Sequence, residues 1–427
     1  MTSPGSEPVP VSPETVREIT HLGLQLGRLL LQNGADTTQV QESVERFAAV
    51  QGVQVRLLAT YEVILLTVES GEQFRTKVGH RIPAMNVNLS LVAAVNDLIR
   101  EVEAGRCSLA QLRERLPQVE HQPPVYPRIW VALALGLTAA SLARLFGGDW
   151  GAFGVTWVVS FVGTWLRQEL GKRGANLFVT PFVVALVCGG LGAVGASWVG
   201  TMTPTLCLIA PAMILVPGVP LVNGVQDLIR NQITLGLARL TLGVLITGSI
   251  AAGLMAATWV SGATIPVSEP GRLLSVPEDA LFSALAALGY LLLFNVPPRI
   301  AWAGVICGMA SHTTRTAGLH LGWNLVLGTL VGALAAGFLA QVFARRFRAP
   351  AVTFAFPGVV AMIPGAFAFR AMMGAGQILN TGALTPTAVV NETLTLVLQC
   401  LFMVVAIAVG LVGPLVLPSQ GKLKAES

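Results

Sequence analysis

Two proline-glycine pairs set inside long apolar runs constrain this chain more than any other feature. The first lies in VPGVPLVNGVQDLIR, Val216 to Arg230, where Pro217, Gly218 and Pro220 are followed by Asn223, Gln226 and Asp227. Proline removes a backbone donor and clashes with the preceding turn, so a helix carried through this stretch breaks or kinks. Freed carbonyls and amides are costly in lipid, so a break at membrane depth survives only against protein or a water-filled cavity. Taken alone, the stretch reads equally as a Pro-kinked helix with a polar end. A second copy, AFPGVVAMIPGAFAFRAMMG, Ala355 to Gly374, changes that balance. Aligning Pro364-Gly365 on Pro217-Gly218 brings Pro357 within one residue of Pro211 and sets Arg370 opposite Asn223. Interrupted apolar segments in corresponding places of two halves point to a solute-binding site. Pro217, Gly218, Pro220, Asn223, Asp227, Pro364, Gly365 and Arg370 are the candidate substrate-binding residues.

The surrounding composition demands a membrane. Of 427 residues, 53% are hydrophobic and 11% charged, values outside the range of soluble or disordered domains. Residues 1–126 hold 11 Lys+Arg and 14 Asp+Glu, and the remainder 16 and 8. A mildly acidic head thus precedes a basic membrane body, and the net charge of +5 reflects topology rather than nucleic-acid binding. Cys107, Cys188, Cys207, Cys307 and Cys400 show neither zinc spacing nor a disulfide framework, so no metal is expected. The N-terminus lacks the basic and apolar regions of a cleaved signal peptide.

Residues 1–13 read as a disordered, Pro/Ser-rich tail. From Pro13 an amphipathic helix runs to Asn33-Gly34, and Asp36 or Thr37 caps a second through Val50. VQVRLL, EVILLTVE and EQFRTKV read as strands, and helices resume over Val87–Ala104 and Leu109–Leu116. The head, 14–126, is therefore a small α+β domain closed by the linker QPPVYP. Its His21, His80 and His121 sit in no hydrolase motif and read as surface residues.

The body divides into apolar runs near 128–145, 151–167, 176–198, 204–222, 232–260, 279–296, 300–316, 319–343, 351–372 and 388–417. Most approach the roughly 20 residues of a spanning helix, giving about ten spans. With the head inside, Arg128, Arg167, Lys172, Arg173, Arg230, Arg299, Arg345, Arg346, Arg348, Lys422 and Lys424 are cytoplasmic, against Arg144, Arg272, Arg315 and Arg370 outside. An external loop at 261–278 separates halves 127–260 and 279–418, with a cytoplasmic tail at 419–427. Because five spans per half is odd, the two halves are expected as inverted repeats.

Ionisable residues within spans are functional candidates by default. Arg239 falls about 12 Å along the helix after Asp227 and is placed to pair with it. Arg370 and Glu392, with Asn391, form a candidate matching pair. Asp227, Glu392 and Arg239 are the expected coupling residues. Arg144 and Arg315 read instead as interfacial arginines. Asn176, Asn223, Asn295, Asn324 and Asn391 offer amides to a solute or, for Asn324 above all, to neighbouring helices. No phosphate-binding loop accompanies Gly171-Lys172 or Gly421-Lys422, so ATP hydrolysis is not expected.

Three stretches together resemble the bacterial threonine/serine exporter family: LLLQNGADTTQVQESVERFA (Leu29 to Ala48), VPGVPLVNGVQDLIRNQITLGLARL (Val216 to Leu240) and FPGVVAMIPGAFAFRAM (Phe356 to Met372). The resemblance implies a cytoplasmic N-terminal domain, about ten spans, and export of small amino acids driven by the proton motive force. It also implies relatives made as two proteins, and some tied to dicarboxylate export. The expectation is thus an inner-membrane secondary exporter working by proton antiport, without a cofactor, with a homo-oligomer left open. A dicarboxylate exporter is the alternative if Arg239 and Arg370 both line the cavity. A membrane-tethered hydrolase or sensor acting through the head is the alternative if its polar residues cluster.

Overall fold

The computed structural model describes residues 12–70, 73–82, 85–267 and 271–416. The tail expected to be disordered falls almost wholly outside that range, as does the tail from 419 with Lys422 and Lys424. The chain separates into two compact units. The first takes the described residues up to Pro124 together with Arg230–Leu235, and the second takes Val125–Ile229 and the described residues from Gly236 on.

In the first unit, local signals fix the ends of the helices. Helix α1 (Pro13–Gln32) starts with Ser12 accepting from Thr15 N at 3.2 Å and Pro13 in the first turn, where its missing donor costs nothing. It stops at Gly34, whose φ of +102° suits glycine. Helix α2 (Thr37–Val50) is capped by Asp36, which accepts from Gln39 N at 2.9 Å and also from Arg230 at 2.8 Å. Strands β1 (Gln54–Ala59), β2 (Ile64–Ser70) and β3 (Gln73–Val78) form an antiparallel sheet in that order, with Leu57 opposite Leu66 and Leu66 opposite Lys77. Ile64, Leu66 and Val68 of β2 are buried at the two-residue period of a sheet with one covered face. They share a core with Leu22, Leu26 and Leu30 of α1, and Val40, Val44 and Phe47 of α2. Helices α3 (Leu89–Glu103) and α4 (Leu109–Glu120) complete the unit, the latter through a Ser108/Gln111 capping box.

The second unit is helical throughout its regular structure. Its elements are α5 (Arg128–Leu145), α6 (Trp150–Lys172), α7 (Val179–Val199), α8 (Pro204–Met213), α9 (Gly218–Ile229) and, from Gly236 on, α10 (Ile233–Ser261), then α11 (Val276–Leu293), α12 (Pro298–His320), α13 (Leu325–Phe347), α14 (Val352–Val359), α15 (Gly365–Thr381) and α16 (Thr387–Val416). The order three helices, broken pair, long helix thus occurs twice. Among the described residues, six helices are long and apolar enough to cross a membrane, or up to eight if each bent pair counts as one span. The ten expected from sequence exceed this. Helices α6 and α12, 23 residues each, are not among the six, and each carries several polar residues. Helix α11 starts at Val276, before the expected 279, so Asp279 lies inside its first turn and is buried. The halves interlock: Thr138 of α5 donates to Ala286 O of α11 at 3.1 Å. The linker is held as well, with Val125 N donating to Asn295 Oδ1 and Tyr126 Oη to Val296 O, both at 2.8 Å.

Phe47 is wholly buried, so Phe47→Ala is expected to cost the first unit about 3–5 kcal/mol. Hydrogen exchange on the full chain checks this: amide protection should fall in β2 and hold in α13.

Candidate functional site

The two Pro-Gly pairs build the same local structure. At the first, Leu215 N donates to Ala212 O at 3.0 Å and Val216 N to Met213 O at 3.3 Å, tightening the end of α8. Gly218 N then reaches back to Val216 O at 2.8 Å, a three-residue turn around Pro217, and Leu221 N donates to Pro217 O at 3.2 Å as α9 begins. At the second, Ile363 N donates to Val360 O at 3.1 Å, Gly365 N to Ile363 O at 2.8 Å, and Ala368 N to Pro364 O at 3.0 Å. Pro364 has φ −77° and ψ +47°, close to the inverse γ-turn. The bends are 60° between α8 and α9, and 42° between the segments Val352–Met362 and Gly365–Leu384. Pro220 falls in the first turn of α9, where its missing donor breaks no helical hydrogen bond.

The breaks pack on each other reciprocally. The Ile363 side chain seats on Gly218, and a methyl group added to Gly365 would meet Val216 Cγ2 at 3.0 Å. Val216 and Ile363 occupy equivalent positions before the two prolines, so each glycine receives the branched residue of the other break. Contacts of the form i to j and j to i are the mark of a local two-fold relation.

Helix α9 carries the polar face beyond the first break. Asn223, Gln226 and Asp227 stand at i, i+3 and i+4 and are all buried. Asn223 Oδ1 has no hydrogen-bond partner among the described residues. Arg239 Nη1 donates to Asp227 Oδ2 at 2.6 Å, with both side chains at most 2% exposed. This pairing, expected from spacing, needs α9 and α10 to touch. A Cβ on Gly224 would lie 3.0 Å from Gly236 O, and one on Gly236 would lie 2.8 Å from Gly224 O, so glycine at both positions permits the approach.

The remaining candidates are less enclosed. Arg370 is half-buried on α15. Glu392 is half-buried on α16 beside exposed Asn391, and makes no ion pair among the described residues. Asn324 caps α13, accepting from Leu327 N at 2.8 Å, and so does not bridge helices as expected. Asn176 likewise accepts locally, from Phe178 N at 2.8 Å. A cavity of about 450 Å³ beside α13 and α16, lined by Asn324, Leu327, Leu330, Gln399 and Phe402, includes none of the break residues. In the head, His21 meets Gln25 and His121 meets Pro117 O, and no histidine there bonds a serine or an acid among the described residues.

One buried cluster escaped the sequence. Asp279 in the first turn of α11 receives His312 Nδ1 at 2.8 and 2.9 Å on its two oxygens, and Thr316 Oγ1 at 2.7 Å. Arg315 Nη2 contacts His312 Nε2. Arg315 is only 9% exposed, which corrects its reading as an interfacial arginine. Arg144 does meet aromatic rings, at 4.6 Å from the Trp150 centroid and 5.3 Å from that of Phe282. His312, Arg315 and Thr316 are spaced i, i+3 and i+4, a readable helix face; their partner, however, lies 33 residues from His312, in another helix.

A threonine/serine exporter family model matches residues 21–260, and a second, described as Threonine/Serine exporter, ThrE, matches residues 279–417. Among curated proteins, "Probable succinate transporter subunit YjjP" of Escherichia coli is 29% identical over 58% of this chain and 97% of its own length. "Probable threonine/serine exporter" of Mycobacterium tuberculosis is 25% identical over 83% of this chain and 70% of its own length. "Threonine/serine exporter" of Corynebacterium glutamicum is 23% identical over 84% and 76%. No solved structure matches.

Removing one partner of a buried pair strands the other charge, at about 3–5 kcal/mol. Asp227→Asn should therefore lower the unfolding temperature of the detergent-purified chain. Asp227→Asn combined with Arg239→Gln should lower it by less than the sum of the single changes.

Proposed function

Since the chain belongs to the threonine/serine exporter family, we propose that it is a secondary active exporter of small amino acids, threonine and serine first among them, working by proton antiport. In this reading ten spans form two inverted five-helix repeats in a bacterial inner membrane, with the α+β domain in the cytoplasm. The reciprocal packing of the two Pro-Gly breaks carries the proposal, because paired discontinuous helices are how such repeats build a site. The solute passes beside Pro217-Gly218-Pro220 and Pro364-Gly365. Arg370 takes its carboxylate as a bidentate fork, and Asn223 its ammonium, through the buried oxygen that has no partner among the described residues. Asp227 and Arg239 serve coupling: an ammonium or proton arriving at Asp227 competes with the guanidinium that holds it, and Glu392 is the second acid on the route.

The name of the Escherichia coli relative favours dicarboxylate export as the second reading. Two carboxylates call for two available cations, whereas Arg239 is spent on Asp227. The amino-acid reading therefore stands first. Counterflow in proteoliposomes with labelled threonine, serine and succinate separates them: exchange of succinate alone would overturn the amino-acid reading, and exchange of none of the three would overturn both.

Lysine keeps the charge of Arg370 but not its planar fork. Arg370→Lys should weaken substrate affinity by about tenfold, as loss of a charge-assisted contact implies. Unchanged affinity in a normally expressed variant would assign Arg370 to the membrane surface.

A further inference from the structure

The cluster around His312 lies apart from the breaks, and its hydrogen bonds define protonation states. A guanidinium donates and never accepts, so the Arg315 contact makes His312 Nε2 an acceptor. The imidazole proton then sits on Nδ1 and is donated to Asp279, whose carboxylate also accepts from Thr316. In this state the cluster holds one negative and one positive charge and a neutral histidine, with the carboxylate in the favourable first turn of α11.

Adding a proton to Nε2 destroys that arrangement. The lone pair that received the Arg315 hydrogen bond becomes an N–H, so two donors, both cationic, face each other in a buried site. Arg315 must swing away. Proton binding at His312 and the Arg315 contact are thus mutually exclusive, and loss of the proton restores the contact. No other bond is made or broken.

The charged groups acting on His312 are Asp279 and Arg315. Helices α13 and α14 bring no ionisable side chain to this level: Gly328 of α13 lies against Arg315, and α14 presents Gly358. On α5, Arg144 is turned onto Trp150 and Phe282. On α12 itself His320 contacts Leu274 O, and Glu278 of α11 is held by Ser275. The cluster is also wired to the second break. Ser311, the residue before His312, donates to Gly358 O of α14, the limb that leads through Val360–Met362 into Ile363-Pro364.

We propose that His312 is a proton-binding site of the exporter, with Arg315 the group that the proton displaces and Asp279 the anchor that keeps the imidazole in place. The inference rests on the antiport reading above. With the head inside, the first turn of α11, which carries Asp279, and the last turns of α12 face outward, and His312 lies about 12 Å from the end of α12. This is the side from which an antiporter takes its proton.

Export from proteoliposomes, driven by a pH gradient with the external pH varied between about 6 and about 8, supplies the test. His312→Gln places a donor toward Asp279 and an acceptor toward Arg315 but does not titrate. It is expected to keep counterflow measurable while export loses its dependence on external pH. Arg315→Gln removes the competing cation and should move the pH midpoint of export upward. If His312→Gln keeps the wild-type pH profile, the proposal fails and the exporter reading stands; if wild-type protein shows no counterflow of any labelled solute, the exporter reading itself fails. Should His312→Gln not fold, the imidazole signals of the wild-type chain decide. The chain has 5 histidines, and His21→Gln, His80→Gln, His121→Gln and His320→Gln variants identify His312 by elimination. An imidazole that stays neutral across the same pH range overturns the proposal, and one whose titration moves in Arg315→Gln supports it.

Discussion

A broken helix in an apolar medium must find partners for its own backbone, and the second unit depends on how this is solved at its two breaks. Each Pro-Gly pair closes its freed groups locally, through a tightened turn before the proline, a three-residue turn around it and a fresh helical turn after it. What remains exposed is a notch at the glycine. The other break fills that notch, Ile363 on Gly218 and Val216 near Gly365. Each break is therefore part of the other's surroundings, and the polar face of α9 is carried into the interior from a stable corner.

Around that corner the chain buries charge as well as backbone. The Asp227–Arg239 pair and the Asp279–His312–Arg315 cluster each take groups from two helices out of solvent. Such arrangements are weak contributors to stability, since hydrophobic residues of similar volume often do as well or better. Their cost is felt mainly when one member leaves, and that makes them suited to switching. A group that removes Arg239 from Asp227 unties α9 from α10, and one that removes His312 and Thr316 from Asp279 unties α12 from α11.

Much of this was legible in the sequence where the determining contacts are local. Asp36 and the Ser108/Gln111 box mark helix starts in the head, and the alternation Ile64, Leu66, Val68 marks a half-covered strand. The repeated apolar-Pro-Gly pattern gave both breaks, and twelve residues of spacing sufficed to match Arg239 with Asp227. Asp279 was harder. It looks like the end of a loop until Val276 and Pro277 are seen to begin the helix before it. Its partner on α12 follows only once the first turn of α11 and the last turns of α12 are known to share an end. Arg315 resembles an interfacial arginine for the same reason, and the apolar setting of Asn324 suggests an interhelical role that masks the local signal of a helix cap.

Because the notches are filled across the halves, neither half fills the notch at its own glycine. The segment joining α10 to α11 is thus not what gives α5 through α10 their complementary surface; α11 through α16 supply it, through Thr138 on Ala286 as well as at the glycines. What the covalent connection provides is proximity, raising the effective concentration of one half for the other and fixing their ratio at one to one. A gene encoding the two halves separately would need no new interface, only enough expression and affinity to replace that tether.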